Sequence, residues 1–255
     1  MTKRTDIIWI ERVDSTNEEV KRRISDIDNL SVLSASEQTA GRGQSGNTWL
    51  SNAGENLMFS IAVKFGKDGA EPLQAYDQFV ISEIASLSVV DLLAINDIEA
   101  KVKWPNDIYV GTEKICGILI ENSLSGRDLS HSIIGIGLNV NQVEFDPSLP
   151  NPTSMRKISG EKYDTHSLLE QFTEIFKDYM DRCCHIKGGY GRLRKLYLAQ
   201  MWRKDELSSF IDHTSEKPAA FKGSIRGLSD VGHMLIEDEE GELREFAFKE
   251  ISYIL

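Results

Sequence analysis

Apolar and polar positions follow two rhythms along this chain. Asp6 to Val13 (DIIWIERV) has the composition of a strand, and Ser15 to Ile24 reads as a helix. Ser15 with Glu18 three residues later is a capping-box pattern that would start that helix. Val32 to Ser36 is a short strand, and Asn56 to Phe65 (NLMFSIAVKF) is an apolar, partly β-branched run that reads as a buried one. From Pro72 to Asn96 the period changes. Leu73, Tyr76, Val80, Ile84 and Leu87 recur at three and four residues, one face of a long helix. Three strands follow, at Ala100 to Trp104, Lys114 to Glu121 and His131 to Asn139, the last with two glycines inside it.

Asn141 to Gly160 is rich in Pro, Asn and Ser and reads as a connecting loop. Ser167-Leu-Leu-Glu170 opens a capped helix with Leu168, Phe172, Ile175 and Tyr179 inward; Gly188-Gly189 breaks it, and Gly191 to Met201 is a further short helix. Beyond Lys204 short strands take over, at Ala219 to Arg226, His233 to Glu237 and Glu242 to Phe248, the last two flanking the turn-like EDEEG. The pattern predicts an α+β domain with a small all-β, barrel-like module after it. Strands and helices do not alternate regularly, which disfavours a doubly wound parallel sheet.

Composition narrows the function classes. Of 255 residues, 40% are hydrophobic and 27% charged, enough for an apolar core without disulfides. Cys116, Cys183 and Cys184 match neither a disulfide framework nor a paired-CxxC zinc site and suggest a reducing compartment. No signal peptide and no run of ~20 apolar residues is evident, so a cytoplasmic protein without membrane contact is expected. A formal net charge of -11 argues against a nucleic-acid partner, which is held by cations on phosphates, yet leaves room for a small anion in a basic pocket. The five histidines lie apart and no carboxylates stand at ligand spacing, so no protein-bound metal is expected.

Two segments could carry chemistry. In Gln38 to Trp49 (QTAGRGQSGNTW), glycines free backbone N–H groups to face an anion, Arg42 adds a forked cation, and Trp49 could stack on a purine. The same segment also reads as an exposed loop with one arginine and a core tryptophan. In Lys103-Trp104-Pro105-Asn106-Asp107, proline ends a strand and an Asn-Asp turn leads to a strand starting at Lys114. Lys103 and Lys114 would then project from adjacent strands, an arrangement that favours an anion between them. Taken singly, each lysine reads as a solvated surface residue, and Ser15 and Asn17 read as helix caps.

In these segments the chain resembles the biotin protein ligase family. The likeness runs through VDSTN (13–17), EQTAGRGQSGNTW (37–49), KVKWPNDIYV (101–110), KICGILIE (114–121) and IIGIGLNVN (133–141), covering most of 6–142 and, weakly, the C-terminal module. It implies a mixed-sheet catalytic domain of the biotin/lipoate ligase type over 1–204 and an SH3-like β-barrel over 205–255. It also implies a two-step reaction. Biotin attacks the α-phosphate of ATP, which arrives with Mg²⁺, and the biotinyl-5′-AMP formed then acylates a lysine of a biotin carboxyl carrier domain. By motif match, Lys114 contacts the carboxylate and α-phosphate, and Arg42 with the backbone of Gly41, Gly43 and Gln44 closes over the intermediate. Ser15, Thr16, Asn17 and Gln38 bind the biotin ring, with Gly117 and Gly135 admitting the ligand close to the backbone. Trp49, Lys103, Asn106 and Asn139 fall on the nucleotide side, and Asp107 is placed to orient or deprotonate the incoming lysine.

Two departures stand out. Many members carry a second arginine where this chain has Gln44, and only thirteen residues precede Asp14, so no helix-turn-helix repressor domain is expected. A monomer or homodimer is expected. The competing readings are a lipoate or octanoate ligase, a biotin-binding module without catalysis, and an adenylating enzyme for another carboxylic acid.

Overall fold

The computed structural model describes residues 7–67, 69–185 and 189–254. Its first part runs β1 (Ile7–Val13), α1 (Thr16–Arg23), β2 (Ser31–Gln38), β3 (Leu57–Lys64), α2 (Phe79–Ile95), β4 (Lys101–Lys103), β5 (Asp107–Val110), β6 (Glu113–Ser125) and β7 (Asp128–Leu138). Helices α3 (Met155–Ser159), α4 (Thr165–His185) and α5 (Gly189–Ala199) follow. The chain ends in β8 (Leu207–Asp212), β9 (Ala219–Leu228), β10 (Met234–Asp238), β11 (Leu243–Phe246) and β12 (Ile251–Tyr253).

The first seven strands form one mixed sheet, β1-β2-β3-β7-β6-β5-β4, in which β1 and β2 are parallel and the other neighbours antiparallel. The period-2 alternation of a strand splits its side chains between two faces. Phe59, Ile61, Ile134, Ile136 and Leu138 belong to the main core with α2 and α4, where Phe59 meets Phe172 edge to face at 5.0 Å. Leu33, Ala62 and Ile133 face the other way and hold α1 through Val20. One face thus packs on α2 and α4, while the other, among the described residues, holds α1.

The last five strands form an antiparallel sheet, β11-β10-β9-β8-β12. Its Phe210, Ile225, Met234 and Phe246 belong to the same buried cluster as the first sheet. Polar ties reinforce that contact: Trp104 Nε1 donates to Gly232 O at 2.9 Å, and Arg194 Nη1 donates to Ser229 O at 2.6 Å.

Several expectations are corrected. Ser15 sits at the N-cap of α1 but its side chain makes no capping bond, and Glu18 turns instead to Lys21 and Arg42. The long helix starts at Phe79, because Ala75–Asp77 form a separate 3₁₀ turn tied to Arg127 O; Tyr76 is therefore exposed. From Val80 to Leu93, α2 is buried on almost every side, so its apolar residues form no single stripe. Ala75–Ile95 is long and apolar enough to cross a membrane, contrary to the sequence reading, and most of it is buried within the protein. Helix α4 is capped by Asp164, whose Oδ1 accepts from His166 N at 2.8 Å, rather than by Ser167. The loop expected over 141–160 contains α3. Of the break expected at Gly188-Gly189, Gly188 lies outside the described residues.

Candidate functional site

The hairpin expected from Lys103 to Lys114 is two hairpins. Strand β5 intervenes, so the two lysines stand on strands separated by one rather than on neighbours. DIYV is too short, and too close to Pro105, to announce itself as a strand. The register then builds a row across four strands: Lys103 opposite Asp107, Asp107 opposite Gly117, and Gly117 opposite Gly137. Directly opposite residues point to the same face, so two charged side chains lead into a trough of two glycines.

Lys114 joins that face through a β-bulge. Ile108 pairs with Cys116 but Tyr109 with Lys114, so β6 carries one extra residue between them. An extra residue reverses the alternation and re-aims a side chain. Lys114 consequently lies over Gly117, where an added Cβ would be 3.3 Å from Nζ. Its Nζ pairs with Asp107 Oδ1 at 2.7 Å.

Opposite this row, the loop from Gly41 to Trp49 folds back on itself through Trp49 N to Gly41 O (3.0 Å) and Gly43 N to Asn47 O (2.7 Å). The indole of Trp49 rests in the glycine trough: a Cβ on Gly137 would lie 2.4 Å from it, and one on Gly117 3.0 Å. Trp49 Nε1 is buried without a hydrogen-bond partner. Around the trough, Ser15, Thr16, Asn17, Gln38, Arg42, Gly43, Gln44, Asn106, Lys114 and Gly135 line one cavity, whose volume is only about 50 Å³. Arg42 and Lys114, far apart in sequence, therefore face the same space. Gly41 is not in that lining; its missing side chain makes room for Trp49 O, 2.6 Å from where a Cβ would be.

Two wider cavities share Trp49 and Lys114 with the first. One, of about 560 Å³, is lined by Lys103, Asp107, Tyr109, Asn139 and the 148–152 segment. The other, of about 480 Å³, lies between the two sheets and adds His213, Lys249 and Tyr253 to Lys103 and Asp107. Lys103 sits near the rings of Tyr109 (4.7 Å) and Tyr253 (5.1 Å). Asn106 is fixed by donating to Ile118 O at 2.6 Å, and Asn139 by donating to Thr153 O at 2.9 Å.

At the polar end, Gln38 Oε1 accepts from Thr16 N at 2.8 Å. Ser60 Oγ stands within hydrogen-bond distance of both Thr16 Oγ1 (2.7 Å) and Asn17 Oδ1 (2.6 Å). Gly135 serves this group rather than an open surface, since a Cβ there would lie 2.3 Å from Asn17 Oδ1. Burial raises the Glu121 carboxyl, but bonds from Lys21 and Asn17 and the charges of Lys21 and Arg42 bring it below the ordinary value. Among the described residues no group of three or more His, Cys, Asp or Glu could hold a metal.

The sequence reading missed Gly137, Ser60, Glu121 and the residues that the second sheet contributes. Gly137 had a signal, since Gly135 and Gly137 are two apart and share a face of one strand. Ser60 lies inside an apolar run, and His213 and Lys249 are distant in sequence, so neither had one.

Comparison with known proteins gives three kinds of similarity. A model of the biotin/lipoate A/B protein ligase family matches residues 9–139. The bifunctional ligase/repressor BirA of Bacillus spizizenii is 31% identical over 82% of this chain, which spans 62% of that protein's length. A biotin–[acetyl-CoA-carboxylase] ligase of Paracoccus denitrificans is 27% identical, covering 90% of this chain and 93% of its own. Among solved structures, a biotin protein ligase from Aquifex aeolicus in complex with biotin and ATP superposes with a TM-score of 0.76 at 28% identity, covering 97% of each chain.

Proposed function

The chain belongs to the biotin/lipoate A/B protein ligase family, and on that premise we propose that it is an ATP-dependent biotin protein ligase. The observation that carries this reading is the convergence of Arg42 and Lys114 on one cavity that Ser15, Thr16, Asn17 and Gln38 also line. Cations together with neutral hydrogen-bonding groups around one cavity suit a carboxylic acid with a polar ring.

In the first step the biotin carboxylate attacks the α-phosphorus of ATP, forming biotinyl-5′-AMP and releasing pyrophosphate. Negative charge builds on the α-phosphoryl oxygens, and preorganised cations are the groups that stabilise it. Lys114 takes that role, with Arg42 and the loop backbone of Gly41, Gly43 and Gln44 closing over the intermediate and shielding the anhydride from water. Gln44 brings no charge, so Arg42 is the cation of this loop. The nucleotide occupies the two wider cavities near Lys103, Asn106 and Asn139, with its base against Trp49, and Mg²⁺ enters with it. In the second step a lysine amine of a biotin carboxyl carrier domain attacks the acyl carbon and AMP leaves. Asp107 accepts from or orients that amine. Residues 1–204 serve as the catalytic domain and 205–255 as an SH3-like barrel that walls the nucleotide side.

ATP–pyrophosphate exchange tests this. Exchange dependent on biotin and absent with lipoate is expected, and exchange with lipoate alone would move the chain to the other branch of its family.

A further inference from the structure

Asn17 and Arg42 both line the first cavity, and one side chain touches both. Glu121 Oε2 accepts from Asn17 Nδ2 at 2.8 Å, and its Oε1 accepts from Arg42 Nη2 at 3.2 Å and Lys21 Nζ at 2.7 Å. An ionised carboxylate can only accept, so Nδ2 of Asn17 must face Glu121. Its Oδ1 is thereby left with Ser60 and the cavity. Leu119 O, 3.4 Å from Nδ2, is the other acceptor on that side. Without Glu121 the amide would keep only that long bond and could turn over, offering a donor where it now offers an acceptor.

The same carboxylate belongs to a balanced cluster. Glu18 and Glu121 supply two negative charges; Arg42 and Lys21 supply two positive ones and contact both acids. If Arg42 turns to a reacting anion, Lys21 still bridges the two carboxylates, 3.0 and 2.7 Å away, and keeps Glu121 ionised. The loop cation can leave without unlocking Asn17.

We propose that Glu121 is a positioning residue that couples the orientation of the ring-binding Asn17 to the rest position of the loop cation Arg42, with Lys21 as the counter-charge that allows the exchange. The substrate half of this proposal rests on the ligase reading given above. The Arg42 half does not.

The test uses Glu121→Ala and Glu121→Gln in the full chain, with two readouts. The first is the rate of tryptic cleavage after Arg42 without ligand, followed by mass spectrometry of the peptide ending there. Loss of one of the two carboxylates that hold Arg42, with Glu18 still in place, should speed cleavage roughly threefold in both variants. The second is the KM for biotin in pyrophosphate exchange. Glu121→Ala should raise it roughly tenfold with kcat little changed, and should add little in an Asn17→Ala background. Glutamine keeps an acceptor for Asn17 but no charge for Arg42. Glu121→Gln should therefore recover most of the KM while leaving the loop open to trypsin, a split that a merely structural carboxylate would not give.

Wild-type cleavage rates in either variant would overturn the link to Arg42. So would a wild-type KM for Glu121→Ala, or additivity with Asn17→Ala, for the link to the ring site. If Glu121→Ala melts early, Glu121→Gln decides on its own by the cleavage rate. A wild-type protein inactive with biotin would sink the ligase reading and the substrate half together, and cleavage would still judge Glu121 and Arg42.

Discussion

Trp49 occupies the space that a side chain on Gly137 would need: a Cβ there would meet the indole at 2.4, 2.7 and 2.8 Å. The cavity beneath keeps about 50 Å³, whereas small-molecule sites usually enclose ~300–1,000 Å³. A ligand entering the trough must move this ring.

Binding of biotin and ATP should therefore change the tryptophan emission of the protein, and Trp49→Phe should remove the change although three other tryptophans remain. Gly137→Ala should shift the emission of the free protein as ligand does, because the added methyl expels the ring. A Trp49→Phe variant whose emission responds like the wild type would show that Trp49 does not move.

Lys114 lies 2.7 Å from Asp107, a pair set up by the bulge in β6. Lys114→Ala should lower kcat/KM for pyrophosphate exchange by roughly 10²–10³, the usual cost of removing one preorganised group at a developing charge. Asp107→Asn should slow transfer to the carrier lysine more than it slows exchange. Near-normal exchange by Lys114→Ala would refute the assignment of this lysine.

Most of the sheet was legible in the sequence because its strands are continuous apolar runs. β3 is buried along nearly its whole length, and LMFSIAVK reads that way unaided. The site was legible as a set of residues and not as a geometry. Nothing in KICGILIE marks the extra residue that brings Lys114 over Gly117, because a bulge depends on pairing with β5 and DIYV is too short to declare itself. Ser15 and Asn17 read equally as caps, and only the structure shows both buried at the cavity with no cap made. The long helix misled in another way. A helix buried on all sides loses the stripe that a periodic reading looks for.

Gly232 joins the two sheets. It has φ +88°, and a Cβ on it would fall 2.2 Å from the Phe79 ring. Gly232→Ala should cost about 2–5 kcal/mol, from ~1–2 for a left-handed alanine plus ~1–3 for overpacking. Gly241 is the control, with φ +83° and nothing within 4 Å, so its alanine variant should lose only ~1–2 kcal/mol. Denaturant melts compare the two directly. Equal losses would show that Phe79 yields freely.

Glu83 gives a pH dependence that can be traced to one group. It is fully buried in α2 beside Arg194, which also reaches Ser229 O. Burial drives its carboxyl from 4.5 up to about 7, against the opposing charge of and hydrogen bond from Arg194. Between those values the native state keeps a proton that the unfolded chain has lost. The contribution of Glu83 is then most favourable below pH 4.5, declines as pH rises through the window, and levels off above 7. The full change is about 3 kcal/mol. Glutamine copies the protonated form at every pH. The stability of Glu83→Gln minus that of wild type should therefore grow by that amount from pH 4.5 to 7.5 in urea titrations. A difference independent of pH would mean that Glu83 is ionised throughout, held by Arg194 as a permanent ion pair, and the two sheets would then be joined by a charge that acid could break.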